Sequence, residues 1–364
     1  MGKKGSIRRV YPGGNTYKGF YSYYNYILDQ KSAKRIIVIK GGPGVGKSSF
    51  MKGLGEAMVE KGYDVEYHHC SSDNNSIDGV VFSQVGVALI DGTAPHVVDP
   101  KNPGAVDEII HLGDYWDEDK MMKNKESIIK DNKEVGRLFR RAYGYLAAAK
   151  GAYDNISKNI KEATDYAKVN KIIGELANEI FDDLNYSDSL GKERHLFGSA
   201  VTPDGIKDYL ETLIEPNEKV FVLKGEYNFG QSEIVEKIGK LAIDKGYNVE
   251  FFHNHFIPEK VDNIVIKDIK VAVTTSNKFD NGKNKVFNID LCLNEELLKE
   301  REEEFKLDRE KFEELMDLAI KNISRAKKIH DHMETYYIPN MDFEAIDFLR
   351  ENTLERILYW VEEK

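Results

Sequence analysis

Residues 35–48 read Arg35-Ile-Ile-Val-Ile-Lys-Gly-Gly-Pro-Gly-Val-Gly-Lys-Ser48, and this stretch decides the fold class. The first six form a β-branched run of the kind that makes a strand buried on both faces. Gly41-Gly42-Pro43-Gly44-Val45-Gly46-Lys47-Ser48 then matches the pattern G-x-x-x-x-G-K-[ST]. Residues 49–61 follow with Phe50, Leu54, Ala57 and Met58 at helical spacing, and Gly62 supplies a stop. In a strand, glycine loop and helix of this kind, backbone N–H groups turn toward phosphate oxygens and the helix start adds partial positive charge. The expectation is a nucleotide triphosphate, ATP, held by Gly41 to Ser49, with Lys47 on the β and γ phosphates and the Ser48 hydroxyl on Mg²⁺.

A second metal-side group is expected at the end of another buried strand. Val85-Gly-Val-Ala-Leu-Ile-Asp91 supplies a hydrophobic run ending in a carboxylate, so Asp91 is expected to share Mg²⁺ with Ser48. The next residue is Gly92, where many motor-type ATPases carry a water-activating glutamate. A substitute carboxylate is sought in Asp73 or Asp78, in the loop after the strand Asp64–His69, at the sheet edge where ligands collect. His96, just past Asp91, is a further candidate for phosphate or substrate contact.

The same unit recurs from Lys219 to Ser232. Gly225 and Gly41, Ser232 and Ser48, Gly246 and Gly62, and Asp262 and Asp78 are each 184 apart, and a constant register of this length means duplication. The copy acts as a control. At that offset Lys47 becomes Gln231, Asp91 becomes Thr275 and Asp73 becomes Ile257, whereas Gly46, Glu66, His69 and Asp78 keep their identities. Asp73 therefore groups with the catalytic set, and Asp78 and His69 with the structural one. The second copy is expected to bind a triphosphate poorly, with weak anion binding still permitted by Gly225, Gly230 and Ser232.

Between Asp119 and Leu184 the chain is charged and helical. Ile128, Val135, Ala142, Ala149, Ile156 and Ala163 recur every seven residues, with Phe139, Leu146, Tyr153 and Ile160 completing a stripe. A second helix carrying Ile173, Leu176, Ile180 and Leu184 is expected to pack back on it as a hairpin. Phe312, Met316, Ala319, Ile323 and Ala326 echo the arrangement in the second half. If the hairpin folds over the nucleotide, Arg137, Arg140 or Arg141 is placed to act as an arginine finger. His68-His69, His253-x-His255 and His330-x-His332 are not read as metal sites, because residues two apart on a helix face different ways and no further ligands sit at suitable spacing.

Composition narrows the partners. Lys and Arg number 52 against 62 Asp and Glu, a formal charge of −10, which disfavours duplex nucleic acid. Two distant cysteines, Cys70 and Cys292, give no disulfide framework, and no stretch is long enough to span a membrane, so a reducing cytoplasmic setting is expected.

Tyr11-Pro-Gly-Gly-Asn-Thr16, Gly41 to Ser48, Cys70-Ser-Ser-Asp73, Asp91-Gly-Thr-Ala-Pro-His96 and Leu112-Gly-Asp-Tyr-Trp116 together make the chain resemble the bacterial and archaeal tandem P-loop proteins usually labelled ATP-binding protein, ATPase or nucleotide-kinase-like. The resemblance covers nearly the whole length. It implies ATP and Mg²⁺ but names no substrate, and Gln231 and Thr275 depart from a two-site pattern.

The expected architecture is thus α/β, with tandem P-loop NTPase repeats over residues 1–190 and 191–364. Each is a parallel sheet flanked by helices with a helical insertion, near 119–185 and 295–364. Three function classes follow: an ATPase coupling slow hydrolysis to helical arms and a protein partner, a small-molecule or nucleotide kinase with Asp73 as base, and a non-catalytic nucleotide sensor.

Overall fold

The structure, a computed structural model, describes residues 3–94, 97–226 and 230–362. The first half runs β1 (Ile7–Val10), β2 (Gly13–Thr16), β3 (Gly19–Ser22), β4 (Arg35–Lys40), α1 (Lys47–Glu60), β5 (Val65–His69), β6 (Ile77–Phe82), β7 (Val87–Asp91), β8 (Asp107–His111), α2 (Glu118–Lys123), α3 (Lys125–Ala163) and α4 (Tyr166–Phe181). The second runs β9 (Glu193–Phe197), β10 (Ser199–Thr202), β11 (Gly205–Asp208), α5 (Glu211–Ile214), β12 (Lys219–Lys224), α6 (Gln231–Asp244), β13 (Val249–His253), β14 (Val261–Ile266), β15 (Val271–Thr274), β16 (Lys285–Asn288), α7 (Glu295–Glu300), α8 (Glu302–Tyr337) and α9 (Phe343–Glu362). None of the described helices is long and apolar enough to cross a membrane.

Two six-stranded sheets share one order, β1-β5-β6-β7-β4-β8 and β9-β13-β14-β15-β12-β16. The β-branched run Ile36–Ile39 lies at the heart of the first sheet, each of the four residues at most 3% exposed, between parallel neighbours β7 and β8. The sheets are mixed rather than parallel throughout: β6 runs antiparallel to β5 and β7, and β14 to β13 and β15. Asp78 consequently sits inside β6, not in a loop, and its carboxylate accepts the Tyr24 hydroxyl at 2.8 Å. The stretch after Thr93 contains the edge strand β8.

The helical hairpins do not form. The stripe on α3 meets α8 instead of α4: Ala142, Leu146 and Ala149 pack with Met316, Ala319 and Ile323 across the two halves. Meanwhile α4 crosses to the second sheet, where Val169, Leu176, Ile180 and Phe181 join its core. In return α9 crosses to the first, where Ile346 and Ile357 are buried against Phe50, Leu54 and Met58. Backbone stitching fixes both crossings. Asp165 N–H bonds to Cys292 O and Asn294 N–H to Ala163 O, at 2.8 Å each. At the opposite end Asp117 N–H bonds to Asn340 O at 2.9 Å and Asp342 N–H to Tyr115 O at 2.8 Å. A stripe records that a helix buries one face, but not which helix covers it.

The halves also join where Tyr11 and Phe197 exchange backbone hydrogen bonds of 2.9 and 3.0 Å. Beside this bridge lies a four-charge cluster. Arg8 pairs with Glu66 at 2.9 Å and with Glu250; Arg194 reaches Glu66 at 2.5 Å and Glu250 at 2.9 Å. Burial pushes both carboxyls up, yet Arg194, His68 and Arg8 hold Glu66 well below its usual 4.5, and Arg8, Lys267 and Arg194 hold Glu250 at about 2.

Candidate functional site

The glycine loop between β4 and α1 is shaped by residues that only glycine suits. Gly44 and Gly46 have φ of +69° and +90°, in the left-handed region that costs other residues about 1 kcal/mol or more. Gly46 is the N-cap of α1, whose first internal bond runs from Phe50 N–H to Gly46 O at 2.8 Å. The N–H groups of Lys47, Ser48 and Ser49 therefore have no helix partner and carry the positive end of the helix dipole.

Lys47 Nζ donates to Gly41 O at 2.9 Å and Gly42 O at 2.8 Å and stands 3.7 Å from Asp91 Oδ2. Asp91, at the end of β7, also accepts the Thr93 N–H at 2.8 Å, and the Thr93 hydroxyl donates to Gly41 O at 3.0 Å. Ser48 Oγ accepts the Ile77 N–H at 3.1 Å, tying the helix start to β6. Lys47, Ser48 and Asp91, three residues chosen from sequence spacing, are thus drawn to one sheet edge. Pro43, Val45 and Ser49 complete the loop and the first helical turn.

Asp73 joins them from the loop after β5. Its carboxylate accepts the Asn75 N–H at 3.0 Å, closing a turn, and faces Lys327 Nζ at 3.4 Å. Lys327 lies on α8, the long helix of the other half. The same helix carries Glu334, whose Cα would stand 3.2 Å from a Cβ on Gly44, and Tyr337, whose ring would stand 2.6 Å from one on Gly42. The small residues of the loop are needed twice, for its turn and for the approach of α8.

The arginines are not brought to this loop by any hydrogen bond or ion pair among the described residues. Arg137 binds Glu134 at 2.6 Å, Arg141 donates to the Tyr145 hydroxyl at 3.1 Å, and the Arg140 guanidinium lies back along its own helix by Gly136. All three are exposed. The reason is the exchange of helices: α3 pairs with α8, and it is α8 that lies on the glycine loop. His96 lies outside the described residues. Of the histidines in the three groupings, His68 pairs with Glu66 at 2.9 Å, His69 with Arg9 at 3.1 Å, His253 with His195 at 2.8 Å, His255 with Ser199 at 3.1 Å and His332 with Asp131 at 3.1 Å, whereas His330 Nδ1 stands 3.9 Å from Glu334.

Residues 227–229 of the second loop lie outside the described residues, and the residues flanking them are satisfied by acidic side chains. Gly230 caps α6 with φ +79°. The N–H of Glu226, the counterpart of Gly42, donates to the Asp290 carboxylate at 3.1 and 3.2 Å. Ser232 Oγ donates to Asp262 at 3.2 Å, and burial pushes the Asp262 carboxyl up to about 6 against its bonds from Asn254 and Ser232. Gln231, at the Lys47 position, is 1% exposed. A loop N–H given to an internal carboxylate, beside a further acidic side chain, is a less favourable surrounding for an anion than that of the first loop.

Comparison with known proteins gave no match to a family model, a curated protein or a solved structure.

What sequence spacing missed is the α8 contribution of Lys327, His330, Glu334 and Tyr337, more than two hundred residues from the loop it covers. The only signal was the His330-x-His332 pair, weighed for metal rather than for position.

Proposed function

We propose that the chain is an ATP-binding P-loop NTPase with one competent site, at Gly41–Ser49, that hydrolyses ATP slowly or transfers its γ-phosphoryl group. The observation that carries this reading is the Lys47 ammonium, held on the carbonyls of Gly41 and Gly42 and 3.7 Å from Asp91. A phosphate entering the loop would take Lys47 Nζ away from the carbonyls of Gly41 and Gly42 and meet the helix N–H groups as donors. Ser48 and Asp91 are the residues to hold Mg²⁺, hydroxyl and carboxylate being the oxygen donors that a hard cation prefers. When bound, the cation would neutralise phosphate charge between them.

Asp73 is weakened as a kinase base because its carboxylate is already engaged, by Lys327 at 3.4 Å and by the Asn75 N–H at 3.0 Å. That pairing supports the NTPase reading over a kinase built on Asp73.

The test is calorimetric titration of MgATP and assay of ADP release, with wild-type protein and Lys47→Ala. The expected outcome is one MgATP per chain, with binding and turnover lost in the variant. Unchanged binding and turnover in Lys47→Ala would sink the assignment. Assays with and without a panel of nucleosides and metabolites separate basal hydrolysis from acceptor-dependent transfer.

A further inference from the structure

We propose that Glu334 of α8 is the general base of the N-terminal site, taking the proton of the oxygen that attacks the terminal phosphoryl group, and that His330, one turn away, positions it. The proposal deepens the NTPase reading above and rests on it. Three independent observations lead to it.

The site lacks a free carboxylate of its own. Gly92 follows Asp91, where a glutamate would serve. Asp91 is engaged by Lys47 and Thr93, Asp73 by Lys327 and its own turn, and Asp78 is buried on the Tyr24 hydroxyl. Glu334 is the carboxylate brought against the loop from outside, its Cβ standing 3.1 Å from where a Gly44 Cβ would be. Among the described residues it makes no ion pair with a lysine or arginine, and its carboxylate stands 3.9 Å from His330 Nδ1. That nitrogen is itself buried and makes no hydrogen bond.

The second repeat separates these residues from the helix's structural ones. The starts of α2 and α7, and of α3 and α8, are each 177 apart. At that offset the pair Lys327–Asp331 recurs as Lys150–Asp154, an ion pair in both halves. His330 becomes Tyr153, whose hydroxyl accepts from Lys260 at 2.9 Å, and Glu334 becomes Ser157. The groups that vanish from α3 are thus electrostatic neighbours of Lys47 and Asp73, the lysine and aspartate that vanish from the second loop. A helix that only braced the sheets would need neither asymmetry.

The environment suits proton transfer. Burial raises the Glu334 carboxyl above its usual range, with Asp331 adding to it, and burial lowers the His330 imidazole despite Asp73 and Asp331. A carboxylate made more basic beside a neutral imidazole can accept a proton at neutral pH. In the step, a water or acceptor hydroxyl oxygen forms a bond to the γ-phosphorus as its proton passes to Glu334. The bond from that phosphorus to the β–γ bridging oxygen breaks, and ADP leaves with the electron pair. Glu334 then releases the proton to solvent. His330, whose Nδ1 faces the carboxylate at 3.9 Å, would orient it by closing that gap and touches no bond that changes.

The test uses the full chain carrying Glu334→Gln, Glu334→Asp, His330→Asn or the control Ser157→Ala. Calorimetry measures MgATP affinity, ADP release measures turnover, and thermal melts confirm folding. Glu334→Gln and Glu334→Asp should bind MgATP within about threefold of wild type and turn over about a hundredfold or more slowly. His330→Asn should lower kcat about tenfold with KM unchanged, and Ser157→Ala should change neither. Turnover of Glu334→Gln at the wild-type rate overturns the proposal and leaves the NTPase reading intact. MgATP binding by wild type without turnover toward water or any acceptor overturns the proposal and the catalytic part of the reading above, leaving only nucleotide binding. Absence of MgATP binding in wild type overturns both.

Discussion

The loops Gly41–Ser48 and Gly225–Ser232 follow matching strands, open matching helices and lie in sheets of one order, yet they are chemically opposite. In the first, a lysine and an aspartate stand 3.7 Å apart, the lysine opening the helix that the glycine loop leads into. In the second, Glu226 gives its N–H to Asp290, Gln231 is buried, and Ser232 is taken by Asp262. The difference teaches that the frame and the chemistry separate cleanly. Glycine at the helix N-cap is kept in both halves because the turn requires it, whereas the charges are kept in one.

The largest test of this contrast exchanges the decisive residue. Lys47→Gln should lower ATP turnover by about a thousandfold, ~4 kcal/mol, as expected when a preorganised cation at a phosphoryl group is lost. Gln231→Lys should not add a second site, because Asp290 still holds the loop N–H; calorimetry should read one MgATP per chain. A stoichiometry of two would break the comparison.

The exchanged helices give the next effect. Ile357→Ala on α9 and Leu176→Ala on α4, both fully buried, should each cost about 3 kcal/mol in denaturant unfolding. Hydrogen exchange should show Ile357→Ala loosening β4 and α1 of the N-terminal sheet, although residue 357 belongs to the C-terminal half of the sequence. Loosening confined to the C-terminal sheet would contradict the exchange.

Acid tests the charge cluster shared by both halves. Glu66 and Glu250 have folded values below the 4.5 of an ordinary glutamate, Glu250 at about 2. Their stabilisation is therefore complete above about pH 4.5 and is lost as pH falls toward 2, by at most about 1.4 kcal/mol per pH unit for each carboxylate. Glu250→Gln should flatten the fall of chemical-denaturation stability over that window.

The smallest effect probes the contact of α8 with the loop. Gly42→Ala sets a methyl 2.6 Å from the Tyr337 ring, so the ring must move, at a cost of about 1–2 kcal/mol. Glu226→Ala, at the matching position, should be nearly neutral. Equal thermal shifts for the two would mean that the ring yields freely.

Much of this was legible in the residues. The run Arg35–Lys40 and the spacing from Gly41 to Ser48 gave the strand, turn and helix, because backbone conformation there is set by local sterics. The constant offset of 184 located the second loop and singled out Lys47, Asp73 and Asp91 against Gln231, Ile257 and Thr275. The direction of β6 and the strand β8 were missed, since periodicity carries no sign of strand direction and a short edge strand leaves little pattern.

The sequence by itself determined the duplicated α/β frame and which loop carries charge, since local periodicity and residue identity contain both. Only the tertiary structure decided that α4 and α9 change places, that α3 pairs with α8, and that Glu334 and Tyr337 of one half lie against the loop of the other. The physical reason is that burial is non-directional: an apolar face states how much surface must leave water, and the choice of partner is made by chain connectivity and by backbone bonds such as Asp165 to Cys292.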